Sequence, residues 1–215
     1  MTETKPERRL PPRFELIAGN VCLDFINTLD NRFSAKPKEL LASFIDLGRF
    51  GEDTGILKPE QVDYFCEHIH LMPEKAQDAV RRAIELREAM YAVFSALVNR
   101  QTAPAAGLAT LNAYIREAAQ HSQLVQVETA QTSGRCEWRF DDLASAFDAL
   151  LWPIARAAAD LLASSDLALV RACSSPTCQW LFLDTSKNHH RRWCSMKQCG
   201  NRAKVRRFYA KKKTA

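Results

Sequence analysis

The chain has 215 residues, 47% of them hydrophobic, which suits one large or two modest domains with a real core and excludes disorder throughout. No apolar run approaches the ~18–20 residues of a membrane span. The charged opening MTETKPERRLPPRF lacks the apolar core of a secretory signal, so a cytoplasmic protein of a bacterium or archaeon is expected.

The net charge of +5 is unevenly divided. Residues 171–215 hold twelve Lys/Arg and one acid, Asp184, whereas the remainder holds 18 basic and 24 acidic residues. A basic module on a mildly acidic body is the charge pattern of a nucleic-acid binder with a separate second function; the plain alternative is a solvated cationic tail.

In chain order, residues 1–13 are expected to be disordered and residues 14–168 to form a body. FELIAG (14–19) suits a short strand. NVCLDFINTLDNR (20–32) places Val21, Phe25 and Leu29 at helical spacing, and Lys36–Phe50 has a helical face of Leu40, Leu41, Phe44, Ile45 and Leu47 that fades at Gly51 and Gly55. Pro59 opens a short helix to about Leu71. Pro73 opens the longest, to about Arg100, with Ala83, Leu86, Met90, Val93 and Leu97 along one face and Ile84, Tyr91, Phe94 and Val98 widening it, so the core is expected around it. Residues 104–121 read as a further helix. The period then changes to two: LVQVE (124–128) and CEWRF (136–140), flanking QTSG, predict a β-hairpin. Residues 142–164 are helical again, kinked or restarted at Pro153. The body is therefore expected to be mainly α with a small β component, an α+β domain. No repeat or long linker separates it from residues 169–215.

Seven cysteines is an odd number, which argues against a disulfide framework. Cys22, Cys66 and Cys136 are scattered and read as buried apolar residues. The other four form two close pairs: Cys173 and Cys178 with four residues between them, Cys194 and Cys199 with four between them, and fifteen residues separating the pairs. Four thiolates can close a tetrahedron around structural zinc and leave no position open for water. Chance clustering and a redox role are the alternatives, because the commoner gap within a pair is two residues. QWLFLD (179–184) alternates like one arm of a hairpin, with TSKNHHRRWC as the return. Trp180, Phe182 and Trp193 would supply a small core, and His189 and His190 are expected in an exposed loop. A helix from Cys199 to about Tyr209 is expected to turn Val205, Phe208 and Tyr209 toward that hairpin and its cations outward.

The segment CSSPTCQWLFLDTSKNHHRRWCSMKQCGNRAKVRRFY (173–209) resembles the CGNR zinc finger, whose signature stands here as Cys199, Gly200, Asn201 and Arg202. GNVCLDFINTLDNR and the helix containing RRAIELREAM are similar to the ABATE domain that precedes this finger. The resemblance implies a treble-clef-like four-cysteine finger holding Zn2+ at Cys173, Cys178, Cys194 and Cys199, joined to a body in a regulator of transcription induced by stress.

Function follows from two clusters. Arg191, Arg192, Lys197, Asn201, Arg202, Lys204, Arg206, Arg207 and Lys211 are the candidate contacts to double-stranded DNA, with Lys212 and Lys213 trailing. Because one small finger reads few bases, a homodimer or a second contact is expected to add specificity. In the body, Asp24, Asn27 and Thr28 recur at helical spacing, with Arg87 as a candidate partner for Asp24. They would form either an internal hydrogen-bond network or a pocket for a small-molecule effector. Single-stranded nucleic acid stacking on the aromatics, and an acidic protein partner, are the alternatives to duplex DNA. No phosphate-binding loop, zinc-protease motif or nucleophile elbow is present, and His68, His70 and Cys66 match no catalytic spacing, so no enzyme is expected.

Overall fold

The computed structural model describes residues 13–129 and 132–213, and the side chains of 128–133 and 210–213 lie outside that description. The expected disorder of residues 1–13 therefore falls almost wholly outside the described residues. FELIAG runs as irregular extended chain rather than a strand. It then enters α1, Val21–Ile26, which the Asn20 side chain caps by accepting from Cys22 N at 3.0 Å.

Helix α1 is much shorter than its apolar spacing predicts. It stops at Asn27, whose side chain is engaged elsewhere, and the Thr28 hydroxyl bonds back to Phe25 O at 2.7 Å. The chain then forms β1 (Leu29–Asp30), paired antiparallel with β2 (Lys38–Glu39). Leu40 and Leu41 therefore precede the next helix instead of lying in it. α2 (Phe44–Asp53) starts where Ser43 and Asp46 cap each other reciprocally. It runs through Gly51, where a Cβ would sit 2.7 Å from Leu57 Cδ1, and the chain turns at Gly55 with φ +72°.

α3 (Pro59–His68), one 3₁₀ turn, α4 (Pro73–Val98) and α5 (Ala105–Gln120) follow where the periodicity places them. The hairpin β3 (Ser122–Thr129) and β4 (Thr132–Phe140) is longer than predicted, so Thr132–Gly134 belong to a strand and not to the turn. α6 is Leu151–Leu162. Residues 142–150 form turns and not the expected helix, and Pro153 lies in the first turn of α6, where no backbone N–H is required, so the helix begins there without a kink.

Ala83, Leu86, Met90, Val93 and Phe94 of α4 are all fully buried. α5 packs against both α4 and α6, and α1 packs against α4 and α6. Phe44, Phe65 and Phe147 form one aromatic knot, with ring centroids 4.8–5.3 Å apart.

Beyond α6 come β5 (Val170–Ala172) and β6 (Leu181–Leu183), paired antiparallel with Val170 opposite Leu183. This corrects the expected hairpin. β6 pairs upstream with β5, and TSKNHHRRWC returns as an irregular loop. Alternation identifies a strand but not its partner. A π-helical turn (Met196–Gly200) leads into α7 (Asn201–Lys213). β5 touches α4 and β6 touches α1, and Val170, Leu181 and Phe182 belong to the same buried cluster as the body.

Candidate metal centre and cationic surface

Two turns present the four cysteines. In the first, Cys173 N donates to Trp180 O at 2.8 Å and Cys178 N to Ser175 O at 3.1 Å, which curls the chain around buried Ser175. In the second, Ser195 caps the π-helical turn that carries Cys199. Ser174 N donates to Arg192 O at 2.8 Å and holds the two turns together.

All four sulfurs are buried and lie within 4.8 Å of one another. Cys178 Sγ and Cys194 Sγ are 3.7 Å apart, as are Cys194 Sγ and Cys199 Sγ. A disulfide would need about 2.05 Å. Sulfurs at the corners of a zinc tetrahedron with bonds of about 2.3 Å sit about 3.8 Å apart, so the spacing is that of shared metal ligands.

The protonation chemistry agrees. Hydrogen bonds from Cys178 and then Cys194 pull the Cys173 thiol far down, to about 2, while the hydrogen bond with Cys173 pushes Cys178 and Cys194 up. One thiolate suppresses the ionisation of its neighbours, and a cation at the centre lets all four ionise together. Arg202 Nη2 donates to Cys199 Sγ at 3.2 Å, adding positive charge from outside the tetrahedron. Zinc here is structural, with no open coordination position.

The model of the ABATE family, described as "Putative stress-induced transcription regulator", matches residues 19–165. The chain belongs to the ABATE family. The model of the CGNR zinc finger matches residues 170–212, which contain all four cysteines. No curated protein matches the chain.

The structure separates the predicted cations into two groups. Arg191 is an internal strut: Nε donates to Trp193 O at 3.0 Å, Nη2 reaches Ile17 O at 3.3 Å and also Cys194 O, and the guanidinium lies 4.3 Å over the Phe182 ring. Its guanidinium is thus committed to partners within the fold. Arg202 is committed to the Cys199 sulfur and Arg206 to Ser175 Oγ at 3.5 Å, though both remain exposed. Asn201 donates to Lys197 O at 3.1 Å. Arg192, Lys197, Lys204 and Arg207 are exposed, whereas the Lys211 side chain lies outside the described residues.

Asp184 has the opposite fate. It is fully buried, and its carboxylate accepts from Ser186 N and Oγ and from Arg191 N. Burial opposes its ionisation, but the Ser186 hydroxyl and these amides hold the carboxyl below its usual range. The single acid of residues 171–215 is thus turned inward to shape the loop. An acid two residues before a serine in an otherwise cationic segment was the signal for that role.

Val205, Phe208 and Tyr209 are not buried against the β-ribbon, contrary to expectation. They are 54%, 61% and 62% exposed, and none of the described side chains of α7 is buried. Cys22 is buried as predicted, but Cys66 is half-buried and Cys136 is exposed.

Asp24, Asn27, Thr28 and Arg87 direct their polar atoms to protein partners. Arg87 does not meet Asp24. It forms a two-pronged ion pair with Glu39 at 2.6 and 2.7 Å, with further bonds to Glu88 and Thr28. Asp24 instead accepts from Ala18 N at 2.9 Å, and burial raises its carboxyl to about 6. Asn27 Nδ2 donates to Leu181 O at 2.8 Å, and Leu181 N donates to Asn27 Oδ1 at 3.0 Å. The Asn27 amide thus occupies the place of a neighbouring strand on the outer edge of β6. Leu183 N adds a bond to Ala18 O at 2.7 Å.

Proposed function

We propose that this ABATE-family chain is a DNA-binding transcription regulator that meets duplex DNA through the zinc-anchored helix α7. One observation carries the reading. The only acid in residues 171–215 is buried and internally hydrogen-bonded, so Arg192, Lys197, Lys204, Arg206 and Arg207 present positive charge with no opposing carboxylate of their own module. Phosphate contacts from such a surface supply affinity and register. Zinc holds the N-terminal end of α7, and the hydrogen bonds of Ala18, Asn27 and Ile17 fix the finger to the body. The helix is therefore presented in one orientation, and ordering it costs little on binding.

The test is equilibrium binding of the zinc-loaded protein to fluorescent duplex DNA over a range of salt. Neutralising about five phosphates gives a slope of log K against log salt of about −4.5. Binding is expected to vanish in Cys199→Ser. A slope near zero, or equal binding by parent and variant, refutes the reading.

A further inference from the structure

More than half of the surface of Val205, Phe208 and Tyr209 on α7 is exposed, so the β-ribbon does not bury this apolar face. At about 100° per residue, Val205, Phe208 and Tyr209 fall within one arc of the helix. Arg202 and Arg206 lie on one flank of that arc, and Lys204 and Arg207 lie beyond the other. The Phe208 and Tyr209 rings meet edge to face at 5.7 Å and form one apolar knob. The Arg202 flank opens onto a concavity of about 800 Å³ that Lys197, Asn201, Thr177 and Arg206 also line, with Asp30 of the body as its one acid.

An apolar centre between two cationic rails is the complement of a duplex groove, where two phosphate strands border a floor of base edges. A single strand offers one charged rail only. The major groove, about 12 Å wide, admits an α-helix, and the apolar feature on its floor is the thymine C5-methyl.

Resting on the DNA-binding reading above, we infer that α7 lies in the major groove with Phe208 and Tyr209 against thymine methyl groups. The cations then position the helix, and the aromatic knob contributes base preference.

The experiment compares a randomised duplex pool made with thymidine and the same pool made with deoxyuridine, which keeps base pairing and removes only the methyl. The zinc-loaded full chain and a Phe208→Ala/Tyr209→Ala variant are each titrated with both duplex pools, and with the thymidine pool as single strands, across a salt series. Because both side chains are exposed, the variant is expected to keep its zinc and its circular dichroism. The parent is expected to prefer the thymidine pool about four-fold for each methyl it buries. The variant is expected to bind both pools equally, with the parent's salt slope. Steep, salt-dependent binding by the parent that ignores the methyl, or a preference of the parent for single strands, overturns this inference. In the first of these cases duplex binding itself stands. Failure to bind either pool overturns both readings.

Discussion

The Asn27 amide is the most exacting joint between body and finger, and replacing it with alanine tests the whole arrangement. Asn27 is 4% exposed, and its amide makes two hydrogen bonds to the backbone of Leu181, one donated and one accepted. Asn27→Ala leaves a buried N–H and a buried C=O on β6 without partners. Each such orphan costs roughly 1–3 kcal/mol, so the expected loss is about 2–6 kcal/mol of stability. Asn27→Asp is expected to be at least as damaging, because a carboxylate retains no donor for Leu181 O and brings a charge into the joint. The assay is urea denaturation followed by circular dichroism, paired with hydrogen exchange at the Leu181 amide, which should lose protection first. An Asn27→Ala protein within 0.5 kcal/mol of the parent, with the Leu181 amide still protected, would show that the joint is not where the finger is held.

The same geometry sets three further expectations. Chelating zinc should destabilise the body together with the finger in one cooperative transition, because Leu181, Phe182 and the ligand cysteines share the body's buried cluster; two separate melting transitions would contradict it. Arg202→Gln should weaken zinc affinity about 10–100-fold in a chelator competition, through loss of the 3.2 Å bond to Cys199 Sγ, and an unchanged affinity would remove Arg202 from the metal's support. Asp24, whose folded-state carboxyl is raised to about 6, keeps a proton longer when folded than when unfolded. Its stabilising contribution is therefore complete at about pH 4 and below and is lost as pH rises through about 6. The difference between parent and Asp24→Asn in denaturation free energy should change across that interval by at most about 3 kcal/mol, and a pH-independent difference would place the carboxyl at its ordinary value.

What was legible in the sequence was local. α4 and α5 follow from apolar spacing because each buries a face of its own, and α3 follows from Pro59 at its start. The zinc site follows from spacing because its two turns are built from neighbouring residues. Long-range engagements were not legible. The Val21–Phe25–Leu29 spacing continues the helical period, but Asn27 gives its amide to a strand 154 residues away, and the helix ends there. Arg191 looked like one more cation in a basic run, yet its guanidinium supports backbone carbonyls on both sides of the domain boundary. Alternation in QWLFLD identified a strand without naming β5 as its partner. The Val205, Phe208 and Tyr209 stripe was correctly read as one helix face, but periodicity cannot say what covers a face.

These long-range engagements explain how so small a finger is held. A three-residue ribbon buries little by itself. Here the ribbon is extended on its outer edge by the Asn27 amide and by Ala18 O, and its inner residues join the body's core. Zinc then orders the remaining turns and the start of α7. The stretch from Gly19 to Asn31 accordingly acts as the seat of the finger. Gly19 adopts φ +80°, a backbone conformation that side-chain-bearing residues rarely take, so a substitution in this seat would be strained even though its Cβ would meet Leu183 Cβ at an ordinary 3.4 Å. The Asn27 amide and Ala18 O thus join the segment around α1 directly to β6, and the four clustered cysteines join the turns flanking β6 to the start of α7.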